Sequence, residues 1–192
     1  LGCFTQQISR GTIGSLEFIY AGEIAKKNIA LLKINFLLSF LKCGGEENVN
    51  LVNAFFIAQD KGIKITESKT KETNNFTSLF TVKAKSDKEE HLISGTVMRK
   101  QPHLVQLDDF WIDIIPEGHI LVTSHNDQPG VIGTLGTLLG NNKINIASME
   151  VGRSAPGKNA LMITTLDSDP SDNLLKQIQA MPHVVNVKKI KL

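Results

Sequence analysis

Residues Ser15 to Tyr20 alternate, with Leu16, Phe18 and Tyr20 on one side and Ser15 and Glu17 on the other, the period of a half-buried strand. From Ile24 to Leu41 the apolar positions Ile24, Leu31, Ile34, Leu37, Leu38 and Leu41 recur at helical spacing, and Gly44-Gly45 supplies a stop, so the pattern predicts a long core helix. A second helix is predicted from about Val49 to Lys61, carrying Val52, Phe55 and Phe56 and ending at Gly62. Five short strands follow, over 63–67, 77–85, 91–99, 103–107 and 110–115, most clearly where Phe80, Val82 and Ala84 alternate with Thr81, Lys83 and Lys85. Two helices followed by a run of strands argue for an α+β unit whose helices cover one face of a mostly antiparallel sheet.

Pro116-Glu117-Gly118 punctuates the chain, and the pattern changes after it. Ile120–Ser124 reads as a strand, Pro129–Leu139 as a helix with Pro129 in its first turn, and Ile144–Val151 as a strand. The motif then recurs: Ala160–Leu166 is a strand, Asp169-Pro170 an N-cap and first helical residue, Leu174, Leu175 and Ile178 a helix face, and Val184–Ile190 a closing strand. The order βαββαβ within one short unit is the ferredoxin-like arrangement. The expected organisation is therefore a leading segment over 1–10, an α+β unit over 11–117 and a ferredoxin-like unit over 118–192.

Composition narrows the functional classes. Of 192 residues, 41% are hydrophobic and 21% charged, as in an ordinary globular protein. A formal charge of +2 does not point to nucleic acid as a partner. The most apolar stretch, Ile29–Leu41, is interrupted by Lys33, Asn35 and Ser39 and is too short for a bilayer span, so no membrane association is expected. Cys3 and Cys43 are the only cysteines, which builds neither a disulfide framework nor a zinc cluster and suggests a reducing, cytoplasmic setting. The chain opens with Leu1 and shows no signal-peptide pattern, which suggests a piece of a longer chain. Dinucleotide, P-loop, serine-hydrolase and zinc-hydrolase motifs are lacking, and the five histidines are scattered singly, so no catalytic residue and no metal site is expected. His91, His103 and His183 read as solvated or core-edge residues.

One segment concentrates chemistry. His125-Asn126-Asp127-Gln128-Pro129-Gly130 lies between the first strand and first helix of the second unit. Backbone N–H groups after Gly130, including that of Val131, create a positive field suited to a carboxylate. Asp127 can accept from an ammonium group, and His125 can donate to a carboxylate, so a small zwitterion would satisfy both ends. The competing explanation is a capped helix beside a wet strand end. Asn145 is equally ambiguous, because asparagine is disfavoured in strands.

The pieces Pro116-Glu117-Gly118-His119, His125-x-Asp127-x-Pro129-Gly130-Val131-Ile132-Gly133, Gly136-Thr137-Leu138-Leu139-Gly140 and Ile144-Asn145-Ile146-Ala147-Ser148-Met149 together resemble the ACT regulatory domain at the C-terminus of the D-3-phosphoglycerate dehydrogenase family. Tyr20-Ala21-Gly22-Glu23-Ile24-Ala25, Asn48–Ala54 and Ser94-Gly95-Thr96-Val97 resemble the intervening domain of that family's long form. The resemblance implies that residues 1–10 are the tail of a helix leaving an NAD-binding catalytic domain, and that this stretch itself holds no cofactor. It further implies that L-serine or a similar small amino acid binds between paired ACT domains, with His125, Asp127, Gly130, Val131 and Asn145 as the candidate set. Self-association to a dimer or tetramer follows from the same resemblance. Two alternatives stay open: the β chain of an iron–sulfur L-serine dehydratase, although the serine-rich segment of that protein is lacking, and a free-standing amino-acid sensor.

Overall fold

Leu16, Phe18 and Tyr20 project from one face of β1 (Ile13–Gly22), and all three are fully buried. Their antiparallel neighbours Phe80, Val82 and Ala84 on β3 (Ser78–Ser86) continue the same face, with Phe18 opposite Val82 and Tyr20 opposite Phe80. Over it lie Phe36, Leu37, Phe40 and Leu41 of α2 (Ala30–Cys43), and the Phe18 and Phe36 rings meet edge to face with centroids 5.1 Å apart. Each such side chain contributes about 2 kcal/mol by leaving water. The computed structural model describes every residue except Ser154 and Pro156.

The described chain forms two compact units, Leu1–Asp108 and Asp109–Leu192. The first opens with α1 (Gly2–Ile8) and adds α3 (Ala54–Asp60), β2 (Lys64–Thr70), β4 (Glu90–Met98) and β5 (Gln101–Leu107). Its strands run in the order β2-β1-β3-β4-β5, with β1–β2 parallel and β3-β4-β5 a meander. Among the described residues, no helix is long and apolar enough to cross a membrane.

Three local expectations for this unit are corrected. The long helix does not begin at Ile24: Glu23–Lys26 is a 3-10 turn, and α2 starts after Asn28, whose Oδ1 accepts from the Ala30 N–H at 3.1 Å. The second helix starts at Ala54 rather than Val49, because the Asn50 and Asn53 side chains bond back to the backbone. Cys3 and Cys43, from which the sequence suggested a reducing setting and no disulfide framework, form a disulfide with a Cα–Cα distance of 5.3 Å.

The second unit contains β6 (Phe110–Ile114), β7 (His119–Asn126), α4 (Val131–Asn141), β8 (Ile146–Arg153), β9 (Asn159–Leu166), α5 (Asp172–Gln179) and β10 (Val184–Lys191). After β6 this is the βαββαβ order, and the strands lie β10-β7-β9-β8, antiparallel throughout. Leu121, Met162 and Leu166 on the sheet pack with Leu135 and Leu139 of α4 and Leu174 and Ile178 of α5. Both helix starts differ from the pattern. Pro129 lies outside α4, because Gly130 takes the N-cap position with φ 93°, and Ser171 rather than Asp169 caps α5, its Oγ accepting from the Leu174 N–H at 3.2 Å. Asn145 precedes β8 instead of lying in it.

Candidate effector site of the second unit

At the end of β7, the His125 side chain turns into the protein and is only 2% exposed. Its Nδ1 lies 3.0 Å from the Asn126 carbonyl oxygen, which can only accept, so Nδ1 carries the hydrogen. Nε2 then accepts in the neutral ring and donates in the charged one, and this buried atom has no partner among the described residues. An unmet buried polar atom costs about 1–3 kcal/mol, a cost that a hydrogen-bonding ligand removes.

Two residues on, the chain turns. The Asp127 N–H donates to the Lys158 carbonyl at 2.7 Å, and its Oδ2 accepts from the Gly157 N–H at 3.2 Å and from Arg153 Nη1 at 3.3 Å. The Gly157 hydrogen bond is the main influence holding the Asp127 carboxyl below the usual carboxylate range; Arg153 adds to it and desolvation opposes it. Asp127 is therefore an anion at neutral pH. Neither it nor Gln128 caps α4, which has no side-chain cap. Gly130 sits in the left-handed region, where a side chain is costly, and the Val131 side chain is 3% exposed at the first helical position. The mouth of α4 is thus formed by backbone, with the helix field directed outward.

His125, Asp127, Gly130 and Val131 are brought together at this one corner. Asn145 is not. Its Nδ2 donates to Asp167 Oδ2 at 2.7 Å, just beyond the pairing of Ile146 with Leu166, whereas His125 pairs with Ala160. The two ends of β9 are about 20 Å apart at the usual strand rise. One copy of the chain therefore cannot place Asn145 against Asp127.

Arg153 and Gly157 were missed in the sequence. Arg153 pairs with Ala160, which pairs with His125, so the three residues share one row across β8, β9 and β7. Only the strand order reveals that row.

Comparison with known proteins fits both units. Residues 1–108 match the model of the D-3-phosphoglycerate dehydrogenase intervening domain, and residues 119–183 match that of the ACT domain. The chain belongs to the D-3-phosphoglycerate dehydrogenase family. It is 35% identical over its whole length to the D-3-phosphoglycerate dehydrogenase of Methanocaldococcus jannaschii, covering 36% of that protein. Identity to the Bacillus subtilis enzyme is 32%, covering 37% of it, and to that of Synechocystis 31%, covering 35%. The chain thus spans little more than a third of these dehydrogenases, matching their C-terminal part. ACT domains generally bind amino acids and mediate oligomerisation.

The parallel strand pair of the first unit lacks the glycine pattern of a dinucleotide site. In the parallel pair β1–β2, β1 leaves through Gly22-Glu23-Ile24-Ala25-Lys26, which has no second glycine to let a pyrophosphate approach the backbone.

Proposed function

We propose that this chain is the regulatory portion of an NAD-dependent D-3-phosphoglycerate dehydrogenase, sensing L-serine or a closely similar amino acid where two ACT domains meet. The observation that carries the reading is the buried His125 Nε2, without a hydrogen-bond partner among the described residues, in the same turn that holds the Asp127 anion and leads into the uncapped start of α4. Asp127 accepts from the ammonium group of serine, His125 Nε2 meets its hydroxyl, and the helix mouth matches its carboxylate. Asn145 of a second copy completes the pocket with an amide.

Regulation then follows as linkage. Serine stabilises the assembly in which both copies touch it, and its effect on a distant active site equals its preference for that arrangement, typically about 1–3 kcal/mol.

Isothermal titration of the chain with L-serine tests this. Saturable binding is expected, and Asp127→Ala should weaken it by about tenfold or more while leaving the thermal unfolding of the chain in place. Equal affinity in the variant would remove Asp127 from the site.

A further inference from the structure

We propose that the Cys3–Cys43 pair is a reversible modification site, opened and closed by thiol–disulfide exchange, which clasps α1 onto the end of α2. It is independent of the amino-acid site. Helix α1 has seven residues, too few to hold helical structure on its own, and it depends on docking. Phe4 is fully buried and Ile8 5% exposed, and a Cβ at Gly2 would collide with the Phe36 carbonyl of α2. The disulfide adds a covalent tie at this seam between residues 40 apart in sequence.

Its two ends differ in access. Cys43, the last residue of α2, is exposed and followed by Gly44-Gly45, whereas Cys3 is half-buried. Gln7 spans both sulfurs, its Nε2 donating to Cys3 Sγ at 2.9 Å and lying 4.0 Å from Cys43 Sγ. A small thiolate such as glutathione therefore attacks Cys43 Sγ. The S–S bond breaks, its electron pair leaves on Cys3 Sγ beside the Gln7 amide, and that sulfur takes a proton from water. A second glutathione thiolate resolves the mixed disulfide, freeing Cys43. In sum two glutathione thiols become one glutathione disulfide, and two electrons and two protons pass to the protein. Reoxidation by glutathione disulfide reverses each step.

The test equilibrates the folded chain in glutathione buffers from fully reduced to fully oxidised. Free thiols are then trapped with N-ethylmaleimide, and the intact mass and hydrogen exchange of residues 1–10 are measured. One reversible transition between zero and two adducts is expected without denaturant, with α1 exchanging about tenfold faster in the reduced form. Cys43→Ser should exchange at that faster rate in every buffer. Two adducts at all ratios, a bond reducible only on unfolding, or α1 protection equal in both forms would each overturn the proposal.

Discussion

His91 shows how a single residue ties a unit together through its charge. Its Nδ1 lies 3.0 Å from Asp108 Oδ2, and its Nε2 lies 3.2 Å from Glu89. Burial opposes the charged ring, but the hydrogen bonds and charges of Asp108 and Glu89 outweigh it, and the proton is held above its ordinary pH range. A raised folded value means that the stabilisation is complete below the unfolded value of 6.5 and disappears as pH rises through the folded one. Urea unfolding should therefore show His91→Gln losing part of the stability difference between mildly acidic and mildly alkaline pH; an unchanged difference would contradict this role. At this scale the turn that carries His125 and Asp127 was legible, because polar residues crowd there just before a helix. The tautomer of His125 was not, since it depends on where the Asn126 carbonyl points. Nor was the Cys3–Cys43 pair, because a separation of 40 residues carries no trace of the α1–α2 seam.

Among the elements, strand alternation was the most readable feature. Leu16, Phe18 and Tyr20 fall on the buried face because one period fits one covered sheet. Helix starts were less readable: Asn28, Asn50, Asn53 and Ser171 divert the backbone by side-chain hydrogen bonds that apolar spacing does not register. The β4–β5 hairpin turns through Arg99 and Lys100, with φ values of 50° and 67°, where asparagine and glycine are the favoured pair. Replacing them as Arg99→Asn with Lys100→Gly should raise the unfolding free energy by about 1 kcal/mol in urea titration. A destabilised double variant would mean that the two side chains are held in place by contacts worth more than the strain.

For the molecule as a whole, the four-stranded sheet has two unlike edges. One is β10, carrying Lys188, Lys189 and Lys191, and the other is β8, whose charges are Glu150 and Arg153. A lysine-rich edge resists strand addition, whereas β8 carries one charge of each sign and packs against β6 near Gly152. The same sheet sets Asn145 and Asp127 at opposite ends of β9, so a shared site needs two chains. The α+β class and the βαββαβ order were readable in the periodicity. The strand order that separates Asn145 from Asp127 was not, because pairing is decided between segments rather than within them.

Mixing two defective variants tests the shared site most directly. In a mixed dimer of Asp127→Ala and Asn145→Ala chains, one junction holds an intact Asp127 from one copy and an intact Asn145 from the other. Calorimetry should find serine binding lost or much weakened in each variant alone and restored at wild-type affinity, in a fraction of sites, after the two are unfolded and refolded together. Restoration would place the amino acid between two copies; a mixture as defective as its components would contradict the account.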